Sequence, residues 1–311
     1  MLTLFAHVCL PLVVVVGAGW FMDRRFTLHL QSLVKLNLYL MVPAFVFVHL
    51  LDTPMAGGEA GKIVATAFTT ILLSGVVSFA VGRVLKLGAA SQKAHALACM
   101  LGNCGNFGLP LVTLAFGPEA AAVQVYVLVT MNVSTFTVGL FLANSDASGG
   151  WRSHLRALSA TLRQPAIYAV ASALTCKSLD LHPESVTWLW EPLQMLSNAL
   201  IGFALVTLGV QLSQTQPAPL RAPLISAIAV RLLVAPCLAF GLTQLLHFPK
   251  AIAAVIILTA GAPTAVNSAL LAHEFGGDRA FATASVYYST VFSMITITLS
   301  LALLRAWMGQ G

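Results

Sequence analysis

Residues 102–112 read GNCGNFGLPLV, which sets Gly102, Gly105, Gly108 and Pro110 among two asparagines, Asn103 and Asn106. In a helix interior glycine costs about 1 kcal/mol and proline about 3 kcal/mol relative to alanine. Yet the flanks, AHALACML (94–101) and VTLAF (112–116), are apolar enough to belong to one helix. A second stretch of the same kind, GAPTAVNSALL, covers 261–271 and places Gly261 and Pro263 ahead of Thr264 and Asn267. The fold must explain why an apolar segment interrupts itself, and why it does so twice.

The composition around these stretches settles the class. Apolar residues fill 58% of 311 positions, charged residues 8%, and the mean hydropathy is +0.88. A soluble domain carries about 25% charged residues, so this chain has too few to cover a surface facing water. Windows almost free of charge, such as 1–22, 63–82 and 279–304, supply the roughly 20 residues that a helix needs to cross a bilayer. Membrane β-barrels are excluded, because their strands alternate over about ten residues and these runs are apolar on every face. The expected fold is an all-α polytopic membrane protein with ten transmembrane helices. The spans are expected near 2–20, 32–51, 63–82, 94–117, 120–143, 165–179, 188–212, 222–247, 250–275 and 280–305.

The first span has no basic residue before it and Arg24 and Arg25 after it, the reverse of a cleavable signal, so it is expected to stay in the mature chain. Five cysteines (Cys9, Cys99, Cys104, Cys176 and Cys237) lie in apolar runs without close spacing, which gives neither a disulfide framework nor a metal site. The net charge is +6 and the pI about 9.3, but the basic residues are sorted by side. Connections after spans one, three, five, seven and nine hold Arg24, Arg25, Lys35, Arg83, Lys86, Lys93, Arg152, Arg156, Arg163, Arg221 and Arg279; the opposite connections hold Lys62, Lys177, Lys250 and Arg305. Basic residues collect on the cytoplasmic side of membrane proteins. The pattern therefore speaks for an inner-membrane protein with both termini outside, and against nucleic acid as a partner.

The longest polar stretch, within 144–164, divides the spans five and five. The expected organisation is a first five-helix repeat over 1–145, a cytoplasmic linker over 146–164 and a second repeat over 165–311. An odd number of spans per half turns the halves into opposite orientations, the inverted-repeat plan of many secondary transporters. VYVLVTMNVSTFTVGLFL from Val125 is weakly similar to VYYSTVFSMITITLSLAL from Val286, with Thr137 over Thr298.

On that plan the two interruptions are the fourth span of each half. Both spans close on a Phe-Gly pair, Phe116–Gly117 and Phe275–Gly276. Breaks are expected at Gly105–Pro110 and at Gly261–Pro263, with Pro110 and Pro263 at the first helical position of an outer half-helix, where proline is tolerated. Backbone groups freed by a break cannot face lipid. They face protein or a wet cavity, and broken helices at matching positions of two halves point to a midplane substrate site. Two converging half-helix N-termini, each carrying roughly half a positive charge, suit an anion. Asn103, Asn106, Thr264 and Asn267 are the expected binding residues. Small and polar residues also mediate close helix packing in membranes, which is the competing explanation for either stretch alone.

Arg231 lies ten residues beyond Arg221, about 15 Å along the eighth span. An ionisable group at that depth is usually functional. It could attract an anionic substrate or replace a coupling cation; snorkelling to the interface is the alternative. Asn132 in span five is a further candidate, and Asn37 and Pro43 in span two are buried polar or kinking positions. His7, His49, His95, His247 and His273 are expected at span ends. No span interior holds Asp or Glu, and no phosphate loop, metal spacing or nucleophile–base pair is present. The chain does not read as an enzyme and implies no cofactor, although coupling to sodium or protons stays open.

GNCGNFGLPLVTLAFG (102–117) and APTAVNSALLAHEFGGD (262–278) with TASVYYSTVFSMITITL (283–299) resemble the two signature regions of the auxin efflux carrier family, which includes the plant PIN-FORMED auxin exporters and bacterial carboxylate carriers. LNLYLMVPAFVF in span two, LVTLGVQLS in span seven and the Arg231–Pro236 pattern extend the likeness along the chain. The resemblance implies a fold similar to bile acid sodium symporters. Spans 1, 2, 6 and 7 would form a scaffold that dimerises, and spans 3–5 and 8–10 a core that moves as an elevator with the substrate at the crossing of spans four and nine. The connection in the middle is short, which points to the compact bacterial type. The function so expected is secondary transport of a small organic anion, a carboxylate such as malonate or an auxin-like acid. A sodium-coupled symporter and a transporter-like sensor are the alternatives.

Overall fold

The protein is represented by a computed structural model, which describes residues 5–52, 57–143, 163, 165–215, 218–274 and 277–309. Among these residues every regular element is a helix, apart from one isolated β-bridge. In chain order they are α1 (Ala6–Phe26), α2 (Leu30–Leu51), α3 (Gly58–Val84), α4 (Ala89–Met100), α5 (Cys104–Phe116), α6 (Ala120–Gly139), α7 (Pro165–Ser178), α8 (Thr187–Gln214), α9 (Ala222–Leu245), α10 (Lys250–Ala260), α11 (Val266–Glu274) and α12 (Arg279–Met308). The expected linker over 146–164 lies outside the described residues except for Arg163, and so does the Phe275–Gly276 pair.

Among the described residues seven helices are long and apolar enough to cross a membrane: α1, α2, α3, α6, α8, α9 and α12. The other three expected spans fall short for two different reasons. The sixth is α7, with only 14 residues. The fourth and ninth are each divided, into α4 and α5 and into α10 and α11.

Prolines shape the long helices from within. Of the five π-helical turns among the described residues, Phe5–Cys9, Asn37–Met41, Cys104–Gly108 and Val230–Val234 each end two residues before a proline, Pro11, Pro43, Pro110 and Pro236, while Thr135–Gly139 has no proline at that distance after it. The proline ring crowds the carbonyl four residues back and offers it no N–H. Widening the preceding turn relieves the crowding, because the amides now bond five residues back. Thus the Val42 N–H donates to the Asn37 carbonyl, and the Ala235 N–H to the Val230 carbonyl.

Packing follows small side chains. α1 and α8 touch backbone to backbone at Gly19 and Gly209; a Cβ on Gly19 would lie 2.9 Å from the Val206 carbonyl carbon, and one on Gly209 would lie 2.7 Å from the Trp20 nitrogen. Close approach of this kind is how membrane helices gain contact without a hydrophobic driving force. α2 packs on α7 and α8, while α3 packs on α4, α6 and α9, α10 on α6 and α9, and α12 on α4 and α11. The two sets meet where α2 and α8 face α5 and α6 and where the start of α1 touches α5 and α12. At one point the expectation fails: His95 is not interfacial but fully buried, hydrogen-bonded through Nδ1 to Ser78 Oγ (2.6 Å) and through Nε2 to Ser226 Oγ (3.0 Å). It ties α3, α4 and α9 together, because a buried imidazole must satisfy both ring nitrogens.

Candidate functional site

The two broken helices cross at their breaks. Gly102 and Thr264 form an antiparallel bridge, in which the Asn103 N–H donates to the Pro263 carbonyl (2.7 Å) and the Ala265 N–H to the Leu101 carbonyl (2.8 Å). The interruption in the first segment therefore lies at 101–103, ahead of the expected Gly105–Pro110. Gly105 and Gly108 belong to the π turn that opens α5, and Pro110 follows it inside the wound half-helix. The physical reason is the partner strand. Extended backbone at 101–103 gains two hydrogen bonds from 263–265, whereas the proline is accommodated by a wider turn without a break. In the second segment the chain leaves the helix at Gly261, as expected, and re-enters at Val266, so Pro263 sits in extended backbone rather than at a first helical position.

The other freed groups also find partners inside the protein. The Thr264 N–H donates to Ser289 Oγ (2.9 Å), and Thr264 Oγ1 donates to the Ala98 carbonyl (3.0 Å). Gln124, fully buried on α6, donates from Nε2 to the Cys104 carbonyl (2.8 Å) and accepts from the Thr259 hydroxyl, so one amide holds both breaks. The carbonyl ends of α4 and α10 converge on Arg231. Its Nε donates to the Ala262 carbonyl (2.8 Å), Nη1 to those of Cys99 (3.2 Å) and Met100 (3.3 Å), and Nη2 to that of Ala260 (2.7 Å). Arg231 is 2% exposed. Snorkelling is thereby excluded in this arrangement. Gly102 makes room for the guanidinium, since a Cβ there would come within 2.8 Å of its central carbon.

The crossing is thus polarised. Its negative side, two half-helix C-termini, is closed by Arg231. Its positive side, the first turns of α5 and α11, faces a cavity of 320 Å³. That volume lies in the range of small-molecule sites, about 300–1,000 Å³. The wall includes Asn37, Asn103, Asn106, Asn132 and Asn267, with Gln31 and Lys35 toward the start of α2 and apolar residues such as Leu128, Met131 and Leu270 between them. No Asp or Glu is among the lining residues. Asn37 Nδ2 donates to Asn106 Oδ1 (2.6 Å), bridging α2 to α5. Two amide atoms in this wall are buried without a partner in the protein, Asn103 Nδ2 and Asn37 Oδ1. A buried donor left unbonded costs about 1–3 kcal/mol, so Asn103, 6% exposed, is a donor in want of an acceptor.

Of the residues expected to bind, Asn103, Asn106, Asn132 and Asn267 share this cavity, while Thr264 and Arg231 do not line it. Both are occupied on the other side of the crossing, by carbonyls that the breaks released. Lys35 and Asn37 line the wall instead. From the sequence Lys35 counts only as a marker of sidedness and Asn37 as a buried polar or kinking position; the sequence signal for Asn37 is Pro43, two residues beyond the π turn that Asn37 opens. Gln124 gave no signal beyond being an amide in an apolar run.

The known proteins that this chain resembles in sequence are membrane transporters. The model of the family described as "Membrane transport protein" matches residues 4–150 and 151–301. The chain is 23% identical over 280 residues to an uncharacterized transporter of Methanocaldococcus jannaschii, covering 87% of this chain and 88% of that one. It is 24% identical over 274 residues to a protein of Rhizobium meliloti named "Putative malonate transporter", covering 86% and 85%. The uncharacterized transporter YfdV of Escherichia coli is 23% identical over 313 residues, covering 96% and 97%.

Proposed function

From the premise that this chain belongs to the membrane transport protein family, we propose that it is a secondary transporter of a small organic anion, a carboxylate, bound at the crossing of its two broken helices. The observation that carries this reading is the polarity of the crossing: two half-helix N-termini and the unsatisfied Asn103 amide face a cavity whose lining includes Lys35 and no carboxylate. A carboxylate would accept from Asn103 Nδ2 and from the Asn106 amide, whose oxygen is engaged by Asn37. Asn132 and Asn267 would complete the shell. Asparagines and helix ends bind negative charge without presenting a full charge of their own, which keeps the empty site tolerable in a membrane.

The transport cycle belongs to the same proposal. Ten crossings in two inverted repeats, each with its fourth span broken, account for the seven long helices, the two divided segments and the short α7. α1, α2, α7 and α8 would be the fixed frame, joined as a homodimer, and the remaining helices a body that carries the crossing past it. The packing of the helices into two sets supports that division. The cavity extends to Leu30, Gln31 and Lys35, the end of α2 next to Arg24 and Arg25. With basic residues inside and both termini outside the inner membrane, this arrangement would be the inward-open one.

The relative from Rhizobium makes malonate the first probe. In vesicles containing the purified protein, labelled malonate uptake is measured in competition with a panel of mono- and dicarboxylates. Asn106→Leu and Asn267→Leu each remove a hydrogen bond to a charged group, worth about 1.5–3 kcal/mol. Uptake is therefore expected to fall by about tenfold or more. If both variants transport every carboxylate that the parent does, at the parent's rate, the site is elsewhere.

A further inference from the structure

The Arg231 guanidinium does more than fill space. α4 and α10 end at the same point with their carbonyls turned inward, and each helix C-terminus carries roughly half a negative charge. Two such ends sum to about one charge, which one guanidinium balances. Converging carbonyls of half-helix C-termini are also how broken-helix transporters hold an inorganic cation. Here four of them, from Cys99, Met100, Ala260 and Ala262, all take hydrogen bonds from Arg231. The π turn Val230–Val234 and Pro236 set the side chain's position on α9, and the absent Cβ of Gly102 leaves it room.

We propose that Arg231 is a built-in cation, which occupies the carbonyl cage that a small inorganic cation would otherwise fill, so that the crossing is held together and neutralised without one. Two consequences follow. Transport by this protein, on the function proposed above, does not depend on sodium. Removal of the side chain turns the cage into a site for a small monovalent cation or for free guanidinium. A plain structural cap would predict the loss of stability on removal but no selectivity for what restores it.

Thermal unfolding of the purified protein tests this without any knowledge of the substrate. The parent, Arg231→Lys and Arg231→Ala are compared in sodium, lithium and choline chloride at one ionic strength, and with millimolar methylguanidinium. The parent's Tm is expected to be the same in all of them. Arg231→Ala is expected to unfold at lower temperature and to recover with sodium, lithium or methylguanidinium but not choline, by roughly 2 °C for each tenfold rise above the dissociation constant. Arg231→Lys keeps a charge in the cage and is expected to be insensitive to sodium. A folded Arg231→Ala that no cation restores overturns the proposal. So does a parent that sodium stabilises over choline, an arm that decides the question even if Arg231→Ala cannot be purified. Malonate uptake by the parent, measured in vesicles with choline in place of sodium at fixed voltage, is expected to be unchanged. Uptake absent in both salts would count against the transport reading and leave the unfolding result to stand for Arg231.

Discussion

Gly102 shows how closely single residues are set at the crossing. It lends its backbone to the bridge with Thr264 and leaves the space beside its Cα to Arg231. Gly102→Ala would bring a methyl within 2.8 Å of the guanidinium carbon and force the side chain off some of its four carbonyls. Overpacking of this kind typically costs about 1–3 kcal/mol. The expected result is a lower Tm for Gly102→Ala than for the parent. A parental Tm for Gly102→Ala would mean that the guanidinium is not held as described. The sequence made Arg231 conspicuous through its depth, and Asn103 and Asn106 through their company. It could not say that Arg231 and Asn103 face opposite sides of one crossing. That depends on a rotation about each helix axis, and a step of one residue turns a side chain by about 100°.

Among the elements, the π turns carry three of the side chains that shape the two sides of the crossing. Asn37 and Asn106 lie on two of them and Arg231 on a third, each turn ending two residues before a proline. The proline spacing was present in the sequence, but periodicity at 3.6 residues per turn does not register a single wide turn. Pro43→Ala restores an N–H to the interior of α2. The turn at 37–41 is then expected to tighten to α geometry, swinging Asn37 away from Asn106 and the cavity. The protein should gain thermal stability while malonate uptake falls, the usual exchange at a strained functional element. Equal or faster uptake by a stabilised Pro43→Ala would show that the wide turn has no part in binding. The break itself was misplaced for a related reason. Glycine and proline content marks Gly105–Pro110, but bonds from a distant segment select 101–103.

For the whole molecule, the elevator reading requires one set of helices to slide past the other, and a tie between them must stop it. Cys9 on α1 and Thr298 on α12 supply the place, with Cys9 Sγ 3.2 Å from Thr298 Oγ1. In Thr298→Cys the two sulfurs fall near bonding range, and a disulfide requires Cα atoms usually 4.4–6.8 Å apart. With Cys99, Cys104, Cys176 and Cys237 replaced, oxidation of Thr298→Cys is expected to abolish malonate uptake, and dithiothreitol to restore it. The same background with Thr298 intact should be indifferent to oxidant. Full transport by a quantitatively cross-linked protein would rule out rigid movement between α1 and α12. The division into two sets was legible only through family resemblance, because apolar helices in lipid carry little pattern to say which neighbour each one chooses.

The amino-acid sequence alone determined that this is a helical membrane protein with two interrupted apolar segments, since hydropathy, charge content and the backbone chemistry of glycine and proline act locally. Tertiary structure decided where each segment opens, which carbonyls Arg231 closes and which asparagines line the cavity. Those outcomes depend on hydrogen bonds between segments far apart in the chain, and in the low dielectric of a membrane interior such bonds outweigh local preference.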